Sequence, residues 1–402
     1  MHRFRHVKGP KEEKMTYKVD EFYFLTDPLE HIYQHYPNDP KWQLLAQPIS
    51  AEEFVRLPLL KSPFFNLKLG FAKDYGSVVD VSGGFHELQI VCPQLYNFTA
   101  KLSSKDHSVA GETLQEKILV RMVENDAVFL LNLPKTGSYY LDVYVAASHA
   151  SSSMDHCCGF KLDCHSVAKH GRSIVYPQLG ALGRLPYFEY MGLREETHVD
   201  SYVTAHDEFV VAVTSAQESD VRVTHSLQYF SQRDRSLTDC ERYAFPKHRG
   251  DSLTSFIVKC PKRGLYILSL HAESAMTSHR HERSQRHLVY RYVIECRKPV
   301  ADVISFPKAS KRWQHCKLIT PLSGDLPLCS KVTFRIESSA ARGMVVVIDD
   351  EWSYLVQREG SDVWEGVVST GADPCKALVY ARLDHRRDKY IPCLEYTIVA
   401  PE

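Results

Sequence analysis

The sequence lacks an excess of charge of either sign, because 49 lysines and arginines are balanced by 49 aspartates and glutamates among its 402 residues. Nucleic-acid-binding proteins usually carry a basic surplus, so the composition argues against a nucleic-acid partner. No run approaches the roughly 20 apolar residues that a membrane helix needs, and we expect no transmembrane segment. An apolar content of 44% excludes a largely disordered chain, a collagen and a coiled-coil rod.

A paired cysteine framework is also missing. The chain has eleven cysteines, an odd number without regular spacing, whereas secreted disulfide proteins usually show even, patterned cysteines. Residues 1–14 carry charge but no apolar segment of the kind found in secretory signals. We therefore expect free thiols, most of them buried in strands, and a cytoplasmic protein. Gly83 and Gly84 are not followed by Lys-Ser/Thr, so we interpret them as a turn rather than a phosphate loop.

From about residue 61 the chain shows short stretches in which apolar and polar residues alternate. The apolar positions are spaced by two and occur at Leu88, Ile90 and Cys92, at Phe98, Ala100 and Leu102, and at Tyr139, Leu141, Val143 and Val145. Turn-forming residues separate these stretches, which is typical of antiparallel sandwiches. Long amphipathic helices, which a parallel α/β fold would need, are not evident. The predicted fold class is therefore mainly β.

An internal repeat supports tandem sandwiches. The segments 134–141 and 261–268 share the pattern Pro-Lys-x-Gly-x-Tyr-x-Leu, and the closing strands 160–164 and 292–296 follow them. The glycine permits a positive φ at a tight turn. We expect the tyrosine hydroxyl to bond nearby backbone, as in the tyrosine corner of immunoglobulin-type sandwiches. A third, diverged copy without this motif is predicted at about residues 332–399.

The first 60 residues have a different character and carry a family resemblance. The segments that carry it are Phe22-Tyr23-Phe24-Leu25-Thr26-Asp27-Pro28-Leu29-Glu30-His31-Ile32-Tyr33, Trp42-Gln43-Leu44-Leu45, Leu57-Pro58-Leu59-Leu60-Lys61 and Phe64-Phe65. Together they resemble the kyphoscoliosis peptidase/hillarin family. The resemblance implies a transglutaminase-like core followed by immunoglobulin-like domains particular to the family.

The resemblance also implies a catalytic Cys, His and Asp upstream of Phe22. Only 21 residues precede Phe22, and they contain no cysteine, so no catalytic residue is assigned and no enzymatic activity is expected of this chain. We interpret Asp27 as a cap before Pro28. The predicted layout is a transglutaminase-like remnant with a linker helix at 1–60, followed by immunoglobulin-like domains at 61–170, 171–300 and 301–402.

Two functions follow from this layout as hypotheses. The first is a non-catalytic interaction or scaffold module with protein partners, associated with the cytoskeleton in the cytoplasm and needing no cofactor. The alternative is the C-terminal fragment of a transglutaminase-like cysteine peptidase whose Cys-His-Asp core lies upstream. Under either hypothesis the chain resembles the back part of a longer family protein, and we expect it to be a truncated gene model, the product of an alternative start, or a form from a lineage that lost the core.

One group of residues suggests a third hypothesis, a zinc-stabilised adaptor. Cysteines and histidines cluster at His156, Cys157, Cys158, Cys164 and His165, with His149 and His170 nearby. Zinc favours such ligands at short spacing, but structural sites usually show Cys-x2-Cys or His-x3-His. Cys164 also falls on a closing strand and corresponds to Cys296 in the second copy. We therefore favour core packing and assign no metal ligand.

Two further groups of residues are candidate sites. A His/Arg-rich loop contains His279, Arg280, His281, Arg283, Arg286 and His287; a solvated basic loop is the simpler interpretation, and a binding loop for an acidic partner or anionic lipid is the alternative. A cysteine–histidine dyad could combine Cys240 or Cys316 with His248 or His315, but nothing in the sequence brings these residues together.

Local patterns predict two features of the N-terminal segment. Ser50 and Glu53 have the spacing of a reciprocal capping box, which predicts a short helix at 50–57. Large apolar residues such as Phe22 and Trp42 would normally pack on the family's core. We therefore expect the segment 32–60 to pack on the first sandwich, with unpacked residues left as an exposed patch.

Overall fold

The structure, a computed structural model, divides the chain into two compact units, Met1–Pro186 and Tyr187–Glu402. The described residues are 20–105, 113–146, 153–168, 175–206, 208–216, 221–249, 252–274, 285–299, 303–310, 313, 316–383 and 389–400.

Two short helices precede the first strand, α1 (Pro28–His31) and α2 (Ala51–Arg56). The Asp27 side chain accepts a hydrogen bond from the Leu29 backbone N–H, 2.9 Å away, and Pro28 occupies the first helical position. Ser50 and Glu53 each bond the other's backbone N–H. The predicted cap at Asp27 and the predicted capping box are therefore confirmed.

The first sandwich has two sheets. Its elements are β1 (Leu59–Leu60), α3 (Ser62–Asn66), β2 (Gly70–Phe71), β3 (Val78–Val81), β4 (Phe85–Val91), β5 (Asn97–Ser104), β6 (Ile118–Val123), β7 (Asp126–Asn132), β8 (Gly137–Ala146) and β9 (Asp155–Cys164). The short strand β10 (Gly183–Arg184) follows them in the sequence. One sheet has the order β2-β4-β7-β6, and the other has the order β1-β9-β8-β5 with β3 joined to β9. The predicted alternation is visible in β8, where Tyr139, Leu141, Val143 and Val145 are all fully buried.

The second sandwich repeats this arrangement. Its elements are α4 (Pro186–Tyr190), β11 (Leu193–Glu195), β12 (Tyr202–Ala205), β13 (Glu208–Ser215), β14 (Val221–Ser231), β15 (Ser236–Asp239), β16 (Ala244–Arg249), β17 (Leu253–Lys259), β18 (Gly264–Ser274) and β19 (His287–Cys296). One sheet has the order β11-β13-β17-β16. The other contains β19-β18-β14-β15, with β12 joined to β19.

Both copies of the repeated motif form a tyrosine corner. Gly137 and Gly264 have φ angles of 138° and 146° and begin strands β8 and β18. The Tyr139 hydroxyl donates to the Lys135 carbonyl, and the Tyr266 hydroxyl donates to the Lys262 carbonyl, each at 2.9 Å. The predicted structural role of these tyrosines is confirmed.

The third sandwich contains β20 (Lys308–Ala309), β21 (Lys317–Thr320), β22 (Asp325–Pro327), β23 (Lys331–Glu337), β24 (Gly343–Ile348), β25 (Glu351–Gln357), β26 (Val363–Ser369), β27 (Lys376–Arg382) and β28 (Ile391–Val399). These strands form one continuous sheet of order β20-β28-β27-β24-β25-β26-β23-β21, with β22 joined to β28. β25 pairs with β24 on one side and with β26 on the other.

The three sandwiches share one pairing that the sequence motif does not reveal. In each, an early strand runs parallel to the closing strand: β3 with β9, β12 with β19, and β22 with β28. The third copy therefore has the same arrangement although it lacks the Gly-x-Tyr element. The predicted mainly β fold of tandem immunoglobulin-like sandwiches is confirmed, and the boundaries at 60, 170 and 300 stay predictions.

Within the unit Tyr187–Glu402, the second and third sandwiches share apolar contacts. Phe245 of β16 lies against Phe306, with ring centroids 5.5 Å apart, and against Trp313, at 5.8 Å. Ile257 belongs to the same buried cluster. This contact places β16 and β17 of the second sandwich beside the start of the third.

Candidate interaction sites

The N-terminal segment is anchored on the first sandwich by a small number of residues. Phe22 is buried and stacks on Phe65 of α3, with ring centroids 5.4 Å apart. Asp20 accepts a hydrogen bond from the Ser62 hydroxyl at 2.6 Å. Leu60 is buried in β1, which pairs with β9. Of these contacts, that of Leu60 falls within the segment 32–60, which is expected to pack on the first sandwich.

Other apolar residues of the same segment remain in solvent. Phe24 is 64% exposed and Trp42 is 65% exposed. Leu25, Leu29 and Leu44 are also exposed. These residues lie within the stretch that carries the family resemblance, so that stretch both anchors itself and leaves apolar side chains uncovered. Exposed large apolar groups of this kind are candidates for contact with another surface.

Some of the candidate metal ligands are buried in the core, and others lie nearer the surface. Cys157 and Cys158 are fully buried, and their sulfurs lie 3.9 Å apart. Burial raises the pKa of Cys158 well above its usual value, which disfavours the thiolate that zinc needs. His156 lies outside this core, with its Nε2 3.3 Å from Asp142 Oδ1.

Cys164 and His165, the other two candidate ligands, contact different residues. The Cys164 thiol donates to the Ser166 carbonyl at 3.4 Å, and burial raises its pKa. His165 Nε2 lies 2.7 Å from Asp80 Oδ1 in an exposed pair. In the described part of the chain, no three His, Cys, Asp or Glu side chains form a group that could hold a metal ion. His149 and His170 lie outside the described residues.

The His/Arg-rich loop is described only at its C-terminal end. His287 stacks on Tyr187, with ring centroids 3.7 Å apart. Arg286 Nη2 lies 3.0 Å from His271 Nδ1 and 3.4 Å from the His225 carbonyl oxygen. The remaining members, His279, Arg280, His281 and Arg283, lie outside the described residues.

In the part of the chain that the structure describes, the cysteines and the histidine of the candidate dyad lie beside other residues. Cys316 is buried, and a hydrogen bond with Cys393 is the main cause that lowers its pKa. Burial raises the pKa of Cys240. His248 Nδ1 lies 3.2 Å from the Thr254 hydroxyl. His315 lies outside the described residues.

The third sandwich presents a surface that the sequence analysis missed. Trp352 and Tyr354 lie on β25 and are 48% and 63% exposed. Trp352 stacks on Tyr380 of β27 at 6.3 Å and meets Tyr390 edge-on at 5.8 Å. These four side chains, Trp352, Tyr354, Tyr380 and Tyr390, are named here the aromatic face.

Strand register explains why the aromatic face is continuous. Val345 of β24 is opposite both Tyr354 and Tyr380, and directly opposite residues of antiparallel strands share one side of a sheet. A Cβ on Gly343 would lie 2.7 Å from the Tyr390 hydroxyl, so the glycine lets that ring lie close to β24. Aromatic side chains surrounded by polar ones are typical of protein contact sites.

An ion pair lies at the border of the same sheet surface. Lys376 Nζ and Glu395 Oε1 are 2.9 Å apart, on β27 and β28. Across neighbouring strands, Glu395 pairs with Leu378, Leu378 pairs with Val347, and Val347 pairs with Trp352. These residues therefore lie on the same side of the sheet. The aromatic face therefore has a polar border on this side, as interfaces commonly do.

Comparison with known proteins identifies the family. A family model described as the KY-like, immunoglobulin-like domain matches residues 51–174 and 182–307, together more than half of the chain. The chain belongs to this KY-like immunoglobulin-like family. The two KY-like matches cover the first and second sandwiches, and the predicted family resemblance is confirmed.

Curated relatives match most of the chain. Human kyphoscoliosis peptidase is 26% identical over 393 residues, which is 96% of this chain and 55% of that protein. Hillarin from Drosophila melanogaster is 25% identical over 285 residues, which is 65% of this chain and 33% of that protein. The chain thus spans about half of the human relative and a third of hillarin. In the described part of this KY-like protein, no helix is long and apolar enough to cross a membrane.

Proposed function

We propose that this chain is a non-catalytic interaction module that binds a cytoskeletal protein in the cytoplasm. The observation that carries the proposal is the aromatic face, where Trp352 and Tyr354 are exposed on a rigid sheet. Tryptophan and tyrosine are enriched among the residues that dominate binding energy at protein interfaces. They also lose little conformational entropy on binding because they have few rotatable bonds.

The N-terminal segment supplies a second contact in this proposal. Phe24 and Trp42 are exposed although Phe22 anchors the segment. A protein with two separate apolar contact surfaces can join two partners, which is what a scaffold does. The relatedness to kyphoscoliosis peptidase and hillarin supports a role in the same cellular setting as those proteins.

Cell fractionation tests the aromatic face. The intact chain and the variant Trp352→Ala/Tyr354→Ala are each expressed in cultured cells, and the fraction of each that is retained in the detergent-insoluble cytoskeleton is measured. We expect retention of the intact chain and a smaller retained fraction of the double variant, because its affinity should fall at least about 30-fold when the loss of one dominant interface aromatic already costs about 2 kcal/mol. Val210→Ala/Leu237→Ala is the matched control, because both residues are exposed on the second sandwich.

The proposal is wrong if the double variant is retained as well as the intact chain, or if the intact chain is not retained at all. Circular dichroism of each variant establishes whether the fold survives. The substitutions remove exposed side chains, so we expect melting temperatures close to that of the intact chain.

The second candidate is the C-terminal part of a transglutaminase-like cysteine peptidase. The observation that favours it is coverage, because this chain matches 55% of human kyphoscoliosis peptidase and 37% of a relative whose name includes a transglutaminase domain, from Caenorhabditis elegans. An immunoblot of the endogenous protein with an antibody against the sandwiches separates the two candidates. A band near 46 kDa alone supports the interaction module, whereas a substantially larger band supports the peptidase.

A further inference from the structure

The aromatic face is a compact cluster of rings on the third sandwich. Trp352 is nearly parallel to Tyr380, at an angle of 16°, and nearly perpendicular to Tyr390, at 88°. The ring centroid of Tyr354 lies 6.3 Å from that of Trp352 and 6.5 Å from that of Tyr390. Val345, which is opposite Tyr354 and Tyr380 in the register, is fully buried. The rings therefore cover the strand beneath them.

The strands under the rings are paired on both sides within the described sheet. β24 pairs with β25 and with β27, and β27 also pairs with β28. Their peptide groups are used inside the sheet, so a partner cannot bind there by adding a strand. Side chains must therefore recognise whatever binds the aromatic face.

Most polar groups of this surface donate hydrogen bonds. The Trp352 indole N–H can only donate. The same is true of the Arg382 guanidinium, which is opposite Gly343 on the same side of the sheet, and of the exposed Lys389 ammonium. The tyrosine hydroxyls both donate and accept. A suitable ligand offers carbonyl oxygens and few N–H groups, because a donor that loses water without finding an acceptor weakens binding.

Proline-rich segments meet this requirement. A proline has a backbone carbonyl but no N–H, and the polyproline II conformation has no internal hydrogen bonds, so its carbonyls are available to a partner. This conformation already exists before binding, which reduces the entropy lost on docking. Aromatic-lined grooves recognise such segments in several domain families.

The two ends of the aromatic face differ in charge. Arg382 lies opposite Gly343 at one end of β24, and Lys389 directly precedes Tyr390 in the chain. Asp349 and Asp350 form the turn that follows the other end of β24. From residue 343 to residue 349 the strand covers about 20 Å, at about 3.3 Å per residue. A polyproline II segment of about six residues spans the same distance at about 3.1 Å per residue.

We propose that the aromatic face binds a proline-rich segment of about six residues, with an acidic residue at the Arg382 end and a basic residue at the Asp350 end. The prolines pack on the rings, and the Trp352 indole N–H donates to a carbonyl of the segment. The inference rests on the proposed function, since it names the chemistry of the partner that the same face binds.

Isothermal titration calorimetry of the intact chain with synthetic peptides tests the proposal. The probe has six consecutive prolines between two glutamates at one end and two lysines at the other. In a second peptide, alternating glycine and serine replace the prolines; in a third, serines replace the charged residues. We expect saturable binding of the probe with a Kd below about 1 mM, weaker binding of the serine-ended peptide, and none of the glycine–serine peptide.

Two variants locate the binding. Trp352→Ala/Tyr354→Ala should remove detectable binding of the probe, whereas Val210→Ala/Leu237→Ala should not change it. Lys389→Glu should weaken binding of the probe about threefold, as expected for an exposed charge contact, and should leave the serine-ended peptide unaffected. Lys101→Glu is the matched control for charge, because Lys101 is exposed on β5 of the first sandwich.

The proposal is overturned if the probe does not bind, if the glycine–serine peptide binds equally well, or if Trp352→Ala/Tyr354→Ala binds the probe as the intact chain does. Sedimentation that shows dimers held by this face would also overturn it, since a second copy would then be the occupant. Loss of cytoskeletal retention in the double variant without peptide binding would refute this inference and leave the proposed function standing. Peptide binding with unchanged retention would do the reverse.

Discussion

At the residue scale, the repeated tyrosines show how a short motif fixes a turn. Gly137 and Gly264 adopt backbone conformations that side chains strongly disfavour, and each is followed two positions later by a tyrosine. The ring is buried in the core, and the hydroxyl returns to a carbonyl four residues earlier. The sequence predicted this arrangement because all of its parts lie within eight residues.

The corner makes a testable contribution to stability. Tyr139→Phe and Tyr266→Phe each remove one hydroxyl while keeping the ring, so a backbone carbonyl loses its partner. We expect each variant to lower the free energy of unfolding by about 1 kcal/mol. Tyr354→Phe is the control, because that hydroxyl is on an exposed side chain. Urea unfolding measures the differences; values equal to that of the control would contradict the assignment.

A buried histidine gives the protein a defined acid sensitivity. The folded-state pKa of His225 is about 4, below the value near 6.5 of an unfolded histidine. The unfolded chain therefore binds more protons between these pH values, and stability present above pH 6.5 is lost as the pH falls toward 4. His271 acts in the same direction.

Unfolding measured from pH 7 to pH 5 in phosphate-free buffer tests this. We expect the free energy of unfolding to fall with pH, and His225→Gln to remove up to about 1 kcal/mol of that fall per pH unit. His165→Gln serves as the control, since His165 is exposed beside Asp80. An identical slope in His225→Gln and in the unaltered chain would show that the histidine does not titrate in this way.

At the scale of elements, the N-terminal segment combines anchored and free positions within a few residues. Phe22 stacks on Phe65, and its neighbour two positions on, Phe24, is in solvent. The same residue type thus occupies opposite environments. Composition alone predicted that large apolar residues would have to pack or stay exposed, but it did not show which residue does which.

This contrast provides a matched pair of substitutions. Phe22→Ala should weaken docking of the segment by about 3 kcal/mol, as for a buried phenylalanine, whereas Phe24→Ala should change it by less than about 0.5 kcal/mol. Native-state proteolysis within residues 20–60 measures the detached population. We expect cleavage of Phe22→Ala to be faster by a factor of about 100. Equal rates for both variants would mean that the segment is not held by Phe22.

Strand β25 shows a limit of reading sequence periodicity. Its exposed side carries Trp352, Tyr354 and Val356, whereas Leu355 faces inward. A period of two shows that a strand has two sides and does not show which one is covered. For this reason the aromatic face was visible only after the neighbouring strands were placed.

At the scale of the whole molecule, tandem sandwiches were predictable because the repeat recurs along the chain. The third copy keeps the arrangement of the first two, although the family model matches only residues 51–174 and 182–307. The contact of Phe245 with Phe306 and Trp313 was not predictable, since these residues come from two sandwiches and are far apart in the sequence. Contacts between distant segments leave no local pattern in a sequence.

The parallel pairing of early and closing strands has a consequence for mechanical load. In each sandwich the strand near the start of the domain lies beside the strand at its end, and both run the same way. A force that pulls the two ends of such a domain apart slides these strands along each other. Their hydrogen bonds are then loaded together rather than one after another, so each sandwich resists stretching as a unit.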